Sequence, residues 1–453
     1  MARRFMEFCD SYSPHFIQQG MNSIHHARCY LSGLMGTQRR KNIETIENDV
    51  ADSDYQGMEQ FISSSPWSHE SLVDQLAREV DTVLGNPSDA ALVLDETSFL
   101  KKGHASVGVQ RQWSGRAGKI ENCQVGVFAC LAKGERMCLT DFRLFLPESW
   151  AADKERCDKA RIPEEHREHR PKWQLALDMV RAARGRGMRF GWVGVDSLYG
   201  NTAAFINGVE DLGEAFMADV HSTLKIWTEE PRLEKPAERP GKGRPRSRGK
   251  LSKQNSARYL TVEAWTAEHF EKESRRVVFR QGAKGDLEVR LWVREVWTWE
   301  PEWRDGPRKR QLVVRQDRDG GMKYSLTNLP GGLPWKRYAY VQGQRYWVEH
   351  AFHEAKSQLG MAQYQVRVWR GWHHHMALCC LAMLFLLREQ VRTAGCIPLL
   401  SFRDLTELLD YYLPRRSATE EEVLRQMSQR HRKRQEDIDR RRRSAKSRTS
   451  KSN

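Results

Sequence analysis

Residues 91–97 read ALVLDET and residues 192–200 read WVGVDSLYG, so each runs through uninterrupted apolar positions into an aspartate, Asp95 and Asp196. Short runs of this kind read as strands buried on both faces, each ending on an acid at one edge of a sheet. A third stretch, RYWVEHAFHEAK at 345–356, reads as a helix. In it Val348, Phe352, Ala355 and Leu359 form an apolar stripe, and Glu349 lies beside that stripe with Arg345, His353 and Lys356 at neighbouring helical spacings.

The elements between these stretches set the order of the sheet. ALVLDETSFL, ASVGVQRQW and NCQVGVFACLA read as three successive strands, and MCLTDFRLFLP extends the run. A helix from Trp173 to Met188, the strand to Asp196, a helix from about Asn201 to Leu212 and the strand AFMADV follow. Meandering strands followed by alternating helix and strand predict an α/β (α+β) fold, a mixed sheet flanked by helices. Residues 1–88 read as a helical region, with helices near His25–Met35, Gln38–Val50 and Ser68–Leu84. The mixed sheet occupies 89–225, and 226–322 is a Pro-, Gly- and Arg-rich linker followed by a small β-rich insertion, in which LEVRLWV alternates as a half-buried strand. The sheet domain resumes over 323–395 with the Glu349 helix and a second long helix from Trp372 to Thr393. Helices over 396–429 open on a Ser401/Asp404 cap signal. Residues 430–453 hold eleven Lys or Arg against three acids and are expected to be a disordered polyanion-binding arm.

Composition narrows the partner and the compartment. The 453 residues carry a formal net charge of +15 with 39% apolar residues and 15 tryptophans, which describes a folded chain suited to a polyanion. Nine cysteines without a C-x-x-C pair argue against a disulfide framework or a zinc ribbon. The apolar stretch Met376–Leu387 is too short to span a bilayer and reads as a buried helix, so the expected location is cytoplasmic, with no membrane partner.

Each acid has a structural reading of its own. Asp95 ends a strand at a turn, Asp196 caps the next helix, and Glu349 pairs with Arg345 or His353. Together they are harder to explain, because an acid closing a wholly apolar strand needs a cation or hydrogen bonds to offset desolvation. Two strand acids and one helix acid brought together would hold two Mg²⁺ (or Mn²⁺) ions, the arrangement that breaks phosphodiester bonds. Glu96 would face away from Asp95 across the strand, and Glu354 falls on another part of the helix, so both read as structural.

With these motifs in place, the chain resembles the DDE insertion-sequence transposases, bacterial cut-and-paste enzymes with an RNase H-like core and a β-rich insertion before the last acid. The resemblance runs from the helical N-terminal region to about Thr393 and rests on Asp95 in LDET, Asp196 in VDSLYGN and the pattern Y-x2-R-x3-E-x6-K. Arg345, Glu349 and Lys356 match the last three positions of that pattern, whereas Gln342 stands where the family has tyrosine. The resemblance implies that Asp95, Asp196 and Glu349 hold two metal ions and that Arg345 and Lys356 hold DNA phosphates. It further implies double-stranded DNA partners (terminal inverted repeats and target), a dimer in the synaptic complex and a nucleoid-associated location. An RNase H-like endonuclease without strand transfer, or an inactive transposase-derived regulator, would share these motifs.

Further candidates carry two readings each. Arg39, Arg40 and Lys41, placed in the first turns of the second predicted helix, oppose its dipole and suit either a DNA contact or a solvated basic face. Lys242, Arg244 and Arg246 in KGRPR fit either a minor groove or a basic linker. Trp292, Trp297 and Trp299 suit packing of the insertion or base stacking, and His373, His374 and His375 open a helix without metal spacing.

Overall fold

The computed structural model describes residues 1–18, 20–115, 117–234, 250–251, 259–282, 285–299, 306–397, 400–417 and 419–449. Its centre is a ten-stranded mixed sheet. The strands are β1 (Ala90–Leu100), β2 (Gln110–Ser114), β3 (Lys119–Lys133), β4 (Arg136–Leu144), β5 (Trp192–Val195), β6 (Phe216–Asp219), β7 (Arg275–Gly282), β8 (Gly285–Thr298), β9 (Arg308–Gln316) and β10 (Met322–Thr327). They are ordered β7-β8-β9-β10-β6-β5-β1-β3-β2, with β4 sharing the outer edge of the long β3. Strands β1, β5 and β6 run parallel, and all other pairings are antiparallel. The mixed sheet expected of an RNase H-like fold is therefore present.

The β-rich insertion is not a separate sheet. Strand β10 pairs with β6 through Leu326↔Ala218, so β7–β10 extend the core sheet by four strands. The alternation in LEVRLWV showed one buried face but not what covers it; in the fold the edge of β6 supplies the hydrogen-bond partner that a free-standing hairpin would lack. Trp292 is buried against Trp265 and His269, with its indole N–H donated to Glu273, so it packs this extension and is closed to base stacking.

Helices cover the sheet. In the N-terminal region α1 (Ala2–Ser11), α2 (Ile24–Leu34), α3 (Ile43–Asp49), α4 (Tyr55–Ser63) and α5 (His69–Leu84) share one hydrophobic core with the strands. Later come α6 (Lys172–Gly185), α7 (Ala203–Asp211), α8 (Val262–Glu273), α9 (Trp335–Gly343), α10 (Tyr346–Gln358), α11 (Trp369–Thr393), α12 (Phe402–Tyr412) and α13 (Glu420–Thr449). Helix α11 is apolar on every side and is buried over most of its 25 residues, as a helix in the middle of a core must be. No described helix is long and apolar enough to cross a membrane.

Two expectations are corrected here, and a third residue cluster is placed. Arg39, Arg40 and Lys41 precede α3, whose cap is Asn42, so they lie before the helix and not in its first turns. The capping bond from Thr45 N to Asn42 Oδ1 (2.9 Å) decides where that helix begins. The basic tail is helical to Thr449, because its Glu, Gln, Lys and Arg are good helix formers even with no core to build. Residues 373–375 lie in the core: the His374 ring stacks on Trp67 and bonds the carbonyls of Ile62 and Trp67, while His375 bonds Tyr30 and Met361. Burial holds His374 down to about 4 and His375 to about 3, so both are neutral core rings.

Candidate active site

The parallel pairing of β1 with β5 stops at Leu94↔Val195, and the next residue on each strand is one of the two aspartates. Asp95 and Asp196 are therefore neighbours at the carboxyl end of adjacent parallel strands, where an open α/β sheet leaves a crevice. The strand bearing Asp95 does not end there. It runs on to Leu100, paired only with β3, so Asp95 stands where β1 loses its parallel neighbour. Asp196 ends β5 and caps the helical turn Ser197–Gly200, accepting from Leu198 N (3.0 Å) and Tyr199 N (3.5 Å) through Oδ1. Gly200 closes that turn against β6, where a Cβ would collide with the Asp219 carbonyl oxygen.

Helix α10 brings the third acid. Val348, Phe352, Ala355 and Leu359 are all buried, as their spacing predicted, with Phe352 edge-on to Phe128 of β3 (5.4 Å between centroids). That packing turns Glu349 toward the two aspartates. Asp95, Asp196, Glu349, Glu96, Thr97, Ser98 and the exposed Trp113 line one cleft of about 480 Å³.

The electrostatics of the cleft follow from like charges held partly out of water. Burial pushes the Asp95 carboxyl well above the usual carboxylate range; Asp196 and Glu96 push it the same way, and Arg345 pulls it back. Asp196 is raised by burial and then by Glu96. Glu96, expected to face away, lines the same cleft and is tied to Lys172 Nζ (2.8 Å) and Tyr199 Oη (2.9 Å).

A model of the DDE superfamily endonucleases matches residues 18–286, more than half of the chain, and that span contains both aspartates. The chain belongs to the DDE superfamily of endonucleases. It is also 27% identical over 223 residues to a protein of Microchaete diplosiphon named probable transposase for insertion sequence element IS701. The aligned part is 48% of this chain and 53% of that relative, so the match spans about half of each. The family match ends before residue 345, so Glu349 is placed beside the aspartates by the tertiary structure.

Enzymes of the DDE superfamily use divalent metal ions, and the residues present fit one. Three carboxylates converge in one cleft, and two of them are pushed toward protonation by burial and by neighbouring carboxylates. A hard cation with oxygen ligands relieves that repulsion.

Arg345 is a cation beside these three acids. It pairs with Asp219 (Nε–Oδ2 2.9 Å) and with Glu349 (Nη1–Oε1 3.0 Å). Burial works against its charge, but Asp219, Glu349, Asp95 and Asp196 together hold its pKa above the ordinary value. Behind it Ser325 Oγ donates to Asp219 Oδ1 (2.6 Å), and Gln342 Nε2 donates to Ser325 Oγ (2.8 Å). Gln342 is thus buried and holds Ser325, which in turn holds Asp219, the partner of Arg345. Asp219 went unread in the sequence although FMAD closes on an acid as ALVLD and WVGVD do; the same signal was there to find it.

The remaining basic candidates divide. Lys356 Nζ reaches back to Thr97 Oγ1 (2.5 Å) and Ser98 O (3.3 Å) on the cleft wall. Arg39 and Arg40 are exposed. Lys41 is buried, its ammonium on the carbonyls of Leu34 and Gln358, and burial lowers it to about 8; it fastens the loop to the end of α10 and is closed to DNA. Lys242, Arg244 and Arg246 lie outside the described residues.

Proposed function

We propose that this chain is the transposase of an insertion sequence: it binds the ends of its element, hydrolyses a phosphodiester bond there and joins the freed 3'-hydroxyl to target DNA. The observation that carries the proposal is the convergence of Asp95, Asp196 and Glu349 on one cleft. The family match and the likeness to a named transposase support it.

In this reading Asp95, Asp196 and Glu349 hold two Mg²⁺ (or Mn²⁺) ions. When bound, such ions stabilise charge on the attacking and leaving oxygens of an in-line displacement. Asp196, fixed by its cap, and Asp95, fixed by the sheet, are rigid donors, whereas Glu349 on the rim of α10 adjusts with Arg345. Arg345 and Lys356, flanking Glu349 on the helix, hold DNA phosphates beside the cut. Arg39 and Arg40, and Lys242, Arg244 and Arg246, extend the contact along the double-stranded DNA. Bringing two ends together requires at least a dimer.

The test is a plasmid carrying the element's terminal inverted repeats, incubated with protein and Mg²⁺ or Mn²⁺. Nicking at the repeats that disappears in Asp95→Ala, together with joining of precut ends, is the expected result. Nicking without joining would leave a nuclease, and binding without nicking would leave a DNA-binding regulator.

A further inference from the structure

Beyond the cleft, helix α10 carries a second set of donors. His350, His353 and Glu354 each offer one ligand atom, and the three atoms lie within 4.8 Å of one another. His353 Nδ1 is 3.4 Å and His350 Nε2 is 3.9 Å from Glu354 Oε1. Two donors at Zn²⁺ bonding distance in a tetrahedral arrangement stand about 3.4 Å apart, so the two contacts to Glu354 are already close to that spacing and side-chain rotation of the imidazoles would close the set on one ion. The spacing is helical: His350 and Glu354 are one turn apart, with His353 adjacent.

Two features of these residues call for a cation. The Glu354 side chain is only 14% exposed, yet neither Lys nor Arg lies within 4 Å of it among the described residues; its charge neighbours are the two imidazoles. Neither imidazole hydrogen-bonds through its ring to another described residue, so the donor lone pairs are not otherwise committed.

We propose that His350, His353 and Glu354 bind one transition-metal ion of the Zn²⁺ class at a site distinct from the cleft acids, with a coordination position left open. None of the three lines the cleft, and two imidazole nitrogens with one carboxylate suit a borderline ion where the oxygen-only cleft suits a hard one. Such an ion would clasp one turn of the helix that presents Glu349. The inference does not depend on whether the cleft cuts DNA.

The test is calorimetric titration of Zn²⁺ into the full-length protein in excess Mg²⁺, repeated with the double variant His350→Gln/His353→Gln and with Asp95→Asn. One Zn²⁺ should bind the parent and Asp95→Asn alike. The double variant should weaken that binding by at least about tenfold, the least that disturbing a metal's surroundings costs. Zn²⁺ should also raise the melting temperature of the parent but not of the double variant. Should the double variant fail to fold, His353→Gln alone is read instead, since that side chain is 69% exposed and bears little on packing. Zn²⁺ binding that survives the histidine substitutions, that vanishes in Asp95→Asn, or that is absent from the parent overturns the proposal.

Discussion

Asp219→Asn separates the anchoring of Arg345 from the acids themselves. The ion pair it removes has Nε–Oδ2 at 2.9 Å, with side chains 21% and 19% exposed. Two charges about 4 Å apart at an effective dielectric constant near 20 attract by roughly 4 kcal/mol, and desolvation of both offsets part of that. A net loss of about 2 kcal/mol is expected, typical of a hydrogen bond to a charged group. Asparagine keeps the shape of the side chain and an oxygen for Ser325. Folding stability should therefore fall by about 2 kcal/mol, read as a lower urea midpoint at unchanged slope. Arg345, released from Asp219, remains beside Glu349, Asp95 and Asp196, which already hold its charge, so it competes harder with metal for them. If the whole of that free energy were redirected, the Mg²⁺ concentration at half-maximal nicking would rise by up to about 30-fold, since 1.4 kcal/mol is about tenfold. The rate at saturating Mg²⁺ should be largely retained. A stability loss with no change in Mg²⁺ dependence would refute the idea that Asp219 positions Arg345 for the site.

Other outcomes follow from the same geometry. Asp95→Asn should abolish nicking, by more than about a thousandfold if metal stabilisation worth several kcal/mol is lost, yet raise the melting temperature of metal-free protein, because a carboxylate opposed by burial, Asp196 and Glu96 becomes neutral; a lower metal-free melting temperature would contradict this. Because the folded pKa values of Asp95 and Asp196 are raised, the folded chain binds more protons than the unfolded one as pH climbs past about 4, and their contribution to stability falls over that range. Mg²⁺ displaces those protons, so its affinity should increase with pH, and calorimetry in buffers of different ionisation heat should detect proton release; none would count against the site. Arg39→Ala with Arg40→Ala should reduce the salt slope of DNA binding by up to about 2 without altering stability, whereas Lys41→Met should cost about 1–3 kcal/mol of stability by orphaning buried carbonyls; anisotropy and melting curves measure the pair.

The apolar runs into Asp95 and Asp196 and the stripe through Val348 and Leu359 were legible because burial imposes a period on the sequence. A strand covered on both faces must be continuously apolar, and a helix on a sheet must be apolar every third or fourth position. The cap at Ser401 was legible for a similarly local reason: its hydrogen bond reaches only three residues ahead. Features that depend on distant partners were not. Whether β8 belongs to an insertion or to the core sheet is decided by the pairing of β10 with β6 through Leu326↔Ala218, two strands far apart in sequence. Lys41 reads as a basic surface residue until Gln358 is brought against it.

The same division holds at the candidate site. The sequence by itself determined which residue types stand at strand ends and along α10, because backbone periodicity and desolvation act within a few residues. Tertiary structure alone decided that Asp95 and Asp196 are neighbours, through the register Leu94↔Val195, and that Glu349 shares their cleft. It also decided that Arg345 is held among four carboxylates and not free on a helix surface. Charge interactions in a partly dry cleft depend on separation in space, and separation in space between residues some hundred or more positions apart is set only when the sheet closes.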